Sequence, residues 1–179
     1  NMIRVFSPSD TDFTNNGEVV IQATLAVVHK TDNGDFYLEL QCGLEYLDYV
    51  KPKNILVVPT PQGAQAFRIQ TVETTRFKIS AKAWALFYDS ENYLIADSYV
   101  VNKNCNDALD HLNNATDTLS PFTTLSDVQT IASYRCVRKS LYEAINTVLE
   151  RWGGHLVRDN FNIQIRESIG SDNGVTIQY

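Results

Sequence analysis

Ser140–Ile165 reads SLYEAINTVLERWGGHLVRDNFNIQI, and its reading decides the fold of the second half of the chain. Ser140 and Glu143 have the S-x-x-E spacing of a capping box, in which hydroxyl and carboxylate each satisfy a backbone N–H left without a partner at a helix start. A helix is therefore predicted to begin at Ser140. Leu141, Ala144, Ile145, Val148, Leu149 and Trp152 recur at helical spacing and form one apolar stripe that must be buried. Gly153 and Gly154 follow at once, and glycine tolerates the left-handed backbone that ends a helix. Leu156-Val157, a two-residue turn expected at Asp159-Asn160, and Phe161, Ile163 and Ile165 alternating with Asn162 and Gln164 predict a hairpin. The element is a helix lying across a hairpin.

Towards the N-terminus the period changes from helical to alternating. Ile3–Phe6 is a short strand closed by the turn residues Ser7-Pro8-Ser9-Asp10. Val19–Val28 is a β-branched run, and with Asn33-Gly34 as its turn and Phe36, Leu38 and Leu40 alternating beyond, it predicts a hairpin from Val19 to Gln41. Leu44–Lys53 reads as a loop with one helical turn. Ile55–Val58 is a strand stopped by Pro59, and Ala66–Val72 is another. Over Phe77–Tyr88 the residues Phe77, Ile79, Ala81, Ala83, Ala85 and Phe87 share one face, with Lys78, Ser80, Lys82, Trp84 and Leu86 opposite. The outer face turns apolar at Trp84 and Leu86, which marks them as surface for a second domain or subunit. Short extended pieces at Tyr93–Ala96 and Ser98–Val101 complete this half.

Short strands divided by turn signals, with almost no helix, fit a small antiparallel β-barrel or sandwich over 2–103. From Asn104 the character changes to a smaller α+β domain, 104–179. It opens with a capped helix over Asn106–Asn114, passes an extended piece from Ser120 and a strand over Thr130–Tyr134, and ends in the helix and hairpin. Neither half contains a repeat or a low-complexity tract.

Composition excludes several functions. The net charge is -6, with nine basic and twelve acidic residues up to Lys103 and six and nine after it, so neither half offers a basic stripe for nucleic-acid phosphates. An acidic wall past which DNA slides without sticking is compatible with this charge, as is a uniformly solvated surface. No stretch reaches the roughly 18 apolar residues of a membrane span, and no charged-then-apolar signal segment is read. Asn1 before Met2 reads as a tag residue. Cys42, Cys105 and Cys136 are odd in number and far apart, which predicts buried thiols, no disulfide framework, and a reducing compartment during synthesis.

Arg151-Trp152-Gly153-Gly154-His155-Leu156, the hairpin after it and Gly170–Tyr179 (GSDNGVTIQY) resemble the N-terminal region of phage minor structural proteins. These are tail hub proteins, also called tail-associated lysins or endopeptidase tail proteins. Asn33–Leu40 is similar to the opening hairpin of that family, and Gln62–Ile69 to its G-x-Q-x-F-R-I-like stretch. Where many relatives carry a histidine just after the position of Ala81, this chain has Ala83. The resemblance implies a homotrimeric hub at the virion tail tip, assembled in the bacterial cytoplasm. Its neighbours would be the distal tail protein, the tape-measure protein and receptor-binding proteins, with DNA only as passing cargo. It further implies that any lytic domain lies downstream, and that this chain is the first portion of a longer hub.

The residues themselves carry no catalytic pattern. G-x-S-x-G, H-E-x-x-H, P-loop and G-x-G-x-x-G motifs are all absent, and Cys105, His111, His29 and His155 lack metal-ligand spacing, so no cofactor or metal is expected. Asp107 and Asp110 share a helical edge, where carboxylates ordinarily favour the helix dipole. Arg135, Arg138 and Lys139 cluster before the helix and read as a solvated or intersubunit edge. With Trp84 and Leu86 they make up the candidate assembly surface. Two other readings stay open: a peptidoglycan endopeptidase, and a carbohydrate-binding module using Trp84 or Trp152.

Overall fold

The computed structural model describes residues 2–168 and, as backbone alone, 175–178. Its elements, in chain order, are β1 (Met2–Phe6), β2 (Val19–Gln22), β3 (Leu25–Lys30), β4 (Phe36–Cys42), β5 (Ile55–Thr60), β6 (Gly63–Thr74), β7 (Ile79–Ala85) and β8 (Leu94–Lys103). They continue with α1 (Cys105–Asn114), β9 (Thr123–Ser126), β10 (Ala132–Ser140), α2 (Leu141–Trp152), β11 (His155–Asp159), β12 (Asn162–Arg166) and β13 (Val175–Gln178). The chain divides into two compact units. The first closes at Leu86 and takes back β13, and the second starts at Phe87.

The first unit is one curled antiparallel sheet in the order β13-β3-β4-β7-β6-β5-β1-β2. Alternation sets its two faces. Phe36, Leu38, Leu40 and Cys42 of β4, and Ile79, Ala81, Ala83 and Ala85 of β7, are buried on the core side. Phe36 meets Phe67 edge to face at 5.2 Å. All of Ile55–Val58 is buried, so β5 is covered on both faces. The expected mainly-β first half followed by an α+β unit is the observed fold class.

Local details differ from the sequence reading, each for a physical reason. The run Val19–Val28 breaks at Ala23-Thr24. Its first part pairs with β1 and its second with β4, so the hairpin spans Leu25–Cys42 and not Val19–Gln41. In that hairpin's turn Asn33 takes the left-handed conformation (φ 56), while the Gly34 N–H donates to the Thr31 carbonyl at 3.0 Å. Phe77, placed on the core face by alternation, is 80% exposed. Its N–H and that of Lys78 bond the Thr75 hydroxyl, which makes a turn before β7 starts. Leu86, placed on the outer face, is fully buried because the strand ends at Ala85 and a short 3-10 turn carries the chain onward.

In the second unit β8 and β10 form an antiparallel ribbon, and β11, β12 and β9 form a three-stranded sheet in which β9 runs parallel to β12. A parallel neighbour demands a crossover connection, and α2 lies on that path. The stretch 94–103, grouped by composition with the first half, pairs instead with β10, which moves the division from Lys103/Asn104 to Leu86/Phe87. The last strand, β13, pairs with β3 in the first unit. Of the Gly170–Tyr179 motif, residues 170–174 and 179 lie outside the described residues.

In the decisive stretch the helix starts and stops where read, with Leu149 of its stripe only partly buried. Ser140 Oγ accepts from the Glu143 N–H and the Glu143 carboxylate accepts from the Ser140 N–H, both at 3.1 Å. Leu141, Ala144, Ile145, Val148 and Trp152 are buried. Gly153 ends the helix at φ 80, and its N–H donates to the Leu149 carbonyl. Gly154 has a second, steric reason: at φ 108, a Cβ would stand 2.8 Å from the Arg166 carbonyl oxygen. The hairpin turn falls on Asn160-Phe161, one residue later than expected, with Asn160 left-handed at φ 54. Phe161 thereby leaves the strand face and packs edge-on against Phe122, 5.6 Å away.

Candidate assembly surfaces

Two outward sheet faces hold the residues singled out from the sequence. The first lies across β3, β4, β7 and β6. Register places Tyr37 opposite Trp84, and Trp84 opposite Arg68. Tyr37 and Trp84 are tilted with centroids 5.0 Å apart, and His29 stacks on the other side of Tyr37 at 4.6 Å. Lys82 Nζ stands 4.2 Å from the Tyr37 centroid and 4.7 Å from that of Trp84, a cation–π contact to two rings at once. Trp84 Nε1 donates to Gln70 Oε1 at 2.6 Å, while His29 Nε2 lies 3.3 Å from Glu39 Oε2. Trp84 is half-buried under these neighbours. Leu86 contributes nothing to this face.

The second face belongs to the β8–β10 ribbon and gathers the three cations read before the helix. Arg135 pairs with Asp97 through Nε and Nη2, at 3.3 and 3.0 Å. These hydrogen bonds hold the Asp97 carboxyl below its ordinary pKa and raise that of Arg135. Around the pair Tyr99 is 60% exposed, with Val101 and Val137 also open to solvent. Arg138 takes a left-handed conformation (φ 52) inside a strand, so alternation fails and Val137, Arg138 and Lys139 are exposed in succession. Sequence reasoning missed Tyr99, Val101 and Val137, although the alternation of Tyr99 and Val101 with buried Val100 carried the signal.

Asp107 and Asp110 stand on the solvent side of α1, beside an open groove of about 580 Å³ that Tyr99, Val101, Lys103 and His111 also line. Asp110 accepts from its own helix neighbour Asn114 at 3.2 Å, and Asn104 caps the helix through the Asp107 N–H. The three cysteines are buried and free. Burial raises all three thiols, Cys42 to about 11, which disfavours the thiolate that nucleophilic or metal chemistry needs. No group of three or more His, Cys, Asp or Glu side chains suited to a metal occurs among the described residues. Trp152 is 3% exposed and donates to the Lys103 carbonyl at 2.9 Å, so it offers no platform for a sugar. No helix among the described residues is long and apolar enough to cross a membrane.

No protein-family model and no curated protein matches the sequence. Solved structures do match. The chain is similar to prophage tail protein gp18 from Listeria monocytogenes EGD-e, with a TM-score of 0.73 and 12% identity over 93% of this chain and 50% of that one. It is similar to the tail protein from Neisseria meningitidis MC58, at 0.64 and 9% over 92% and 49%. A third match is the Escherichia coli c3393 protein, at 0.55 and 5% over 82% and 46%. That protein is described as a type VI secretion system component with structural similarity to the T4 tail proteins gp27 and gp5. The chain thus spans about half the length of the structures it resembles, and it has the fold of phage and prophage tail proteins.

Proposed function

We propose that this chain is a structural part of a phage or prophage tail tip: one subunit of a homotrimeric hub that caps the tail tube, and carries no catalysis of its own. The observation behind this reading is the tail-protein fold followed over 93% of the chain at a TM-score of 0.73. The distal tail protein, the tape-measure protein and receptor-binding proteins are its neighbours in this reading, and DNA passes without being held. The charge supports that last point, because a net -6 repels phosphate. A structural role also fits side chains spent on one another: Arg135 on Asp97, Lys82 on Tyr37 and Trp84, Trp152 on a backbone carbonyl.

Co-purification with the distal tail protein of the same phage tests the reading, together with light scattering on a longer chain. A stable complex and a trimeric mass are expected. A longer chain that stays monomeric at high concentration and ignores the distal tail protein overturns it. Incubation with purified cell walls is expected to release no peptide, and release would replace the hub by an endopeptidase.

A further inference from the structure

The edge of β8 that faces away from β10 is covered at one end only. The Leu94 carbonyl accepts from the Asp117 N–H at 2.8 Å, and Ile95 bridges Thr116 in antiparallel fashion. Past that point, among the described residues, the ribbon is the pair β10 and β8. Among the described residues no further backbone pairs with Asp97–Val101, and the alternation that turns the Leu94 backbone to Asp117 turns the amide groups of Ser98 and Val100 to this edge, with Asp97 and Tyr99 turned to β10. The groove of about 580 Å³ runs beside it. Tyr99, Val100 and Val101 line it consecutively, as a strand does when its edge forms the wall. The opposite wall is the solvent side of α1, with Asp107, Asp110, His111 and Asn114 at helical spacing. Asp107 and Asp110 supply two carboxylates one turn apart, and no ion pair to either is present among the described residues. Lys103 marks the far end.

We propose that this groove is a strand-addition site, in which an extended segment of a partner protein pairs with β8 from Asp97 to Val101. The segment would rest apolar side chains on Tyr99 and Val101 and set a lysine or arginine against Asp107 and Asp110. Thr116-Asp117 already occupies the first position of such a strand, so a partner would extend a pairing the chain has begun. Main-chain bonds supply the affinity, and the carboxylate wall selects a cationic sequence. The site stands on its own geometry and is independent of the tail-hub reading.

Three short peptides test it on the whole chain: alternating valine and lysine, the same sequence N-methylated at alternate residues, and alternating valine and glutamate. The valine–lysine peptide is expected to bind and to slow amide exchange at Ser98 and Val100, the positions turned to this edge. N-methylation keeps every charge yet blocks pairing, and is expected to weaken binding at least about tenfold. The glutamate peptide should not bind, and the double variant Asp107→Asn with Asp110→Asn, checked for native circular dichroism, should lose about tenfold in affinity for the lysine peptide. Equal binding of the methylated peptide, protection at another strand, or no binding of the lysine peptide overturns the proposal.

Discussion

The outward face around Trp84 and the outward face of the β8–β10 ribbon both expose aromatic and cationic side chains, yet they end in opposite states. Around Trp84 adjacent strands bring His29, Tyr37 and Trp84 into register, Lys82 lies over two of the rings, Gln70 reaches Trp84 from the irregularity in β6, and the face covers itself. On the ribbon two strands pair among the described residues, and Arg135 finds Asp97 while Tyr99, Val101 and Val137 stay about half exposed. The width of a sheet thus governs whether an outer aromatic is consumed within the fold or left for a partner.

The sharpest way to break this comparison lies at the boundary of the first face. Leu86→Ala should cost about 2–5 kcal/mol because the side chain is wholly buried, whereas Trp84→Ala, two residues earlier and half-buried, should cost about 1–2 kcal/mol. Urea midpoints of the two variants decide it, and equal costs would return Leu86 to the surface. Next in size is Trp84→Phe, which keeps the ring but removes the donor to Gln70, for an expected loss of about 1 kcal/mol and a changed near-ultraviolet circular dichroism.

On the ribbon the signs differ. Val137→Thr should leave stability within about 0.5 kcal/mol, since that side chain is 43% exposed, while lowering the solubility-limited self-association read by light scattering. Arg138→Gly should raise the melting temperature, with a gain of about 0.5–1 kcal/mol, because the left-handed backbone is strained for arginine and ordinary for glycine. A loss there would show that the Arg138 side chain holds the ribbon.

The smallest effect concerns Asp97. Its folded carboxyl titrates below the ordinary 3.8, so the contribution of the Arg135 pair is fully present above that value and is lost only as pH falls through the lowered one. Both groups are exposed, so salt should erase most of it. Carbon-detected titration of the Asp97 carboxyl at low and high salt measures both the direction and the screening.

Much of the candidate surface was hidden for one reason. Arg135, Arg138 and Lys139 were visible as a charge cluster, but their neighbours Tyr99 and Val101 lie over thirty positions away and meet them only through the β8–β10 register. Leu86 failed in the reverse direction, because alternation cannot announce the residue at which a strand stops. The chain on its own determined what depends on near neighbours: the Ser140 cap, the stripe of α2, the Gly153 stop, and the two faces of β4 and β7. Only the tertiary structure decided that β8 joins β10, that β9 lies parallel to β12, and that β13 returns to β3. A cap or a stripe is satisfied within one or two helical turns and leaves its mark in adjacent letters. A strand accepts any partner with free amides, so the choice is made by where the whole chain can bury its apolar faces together.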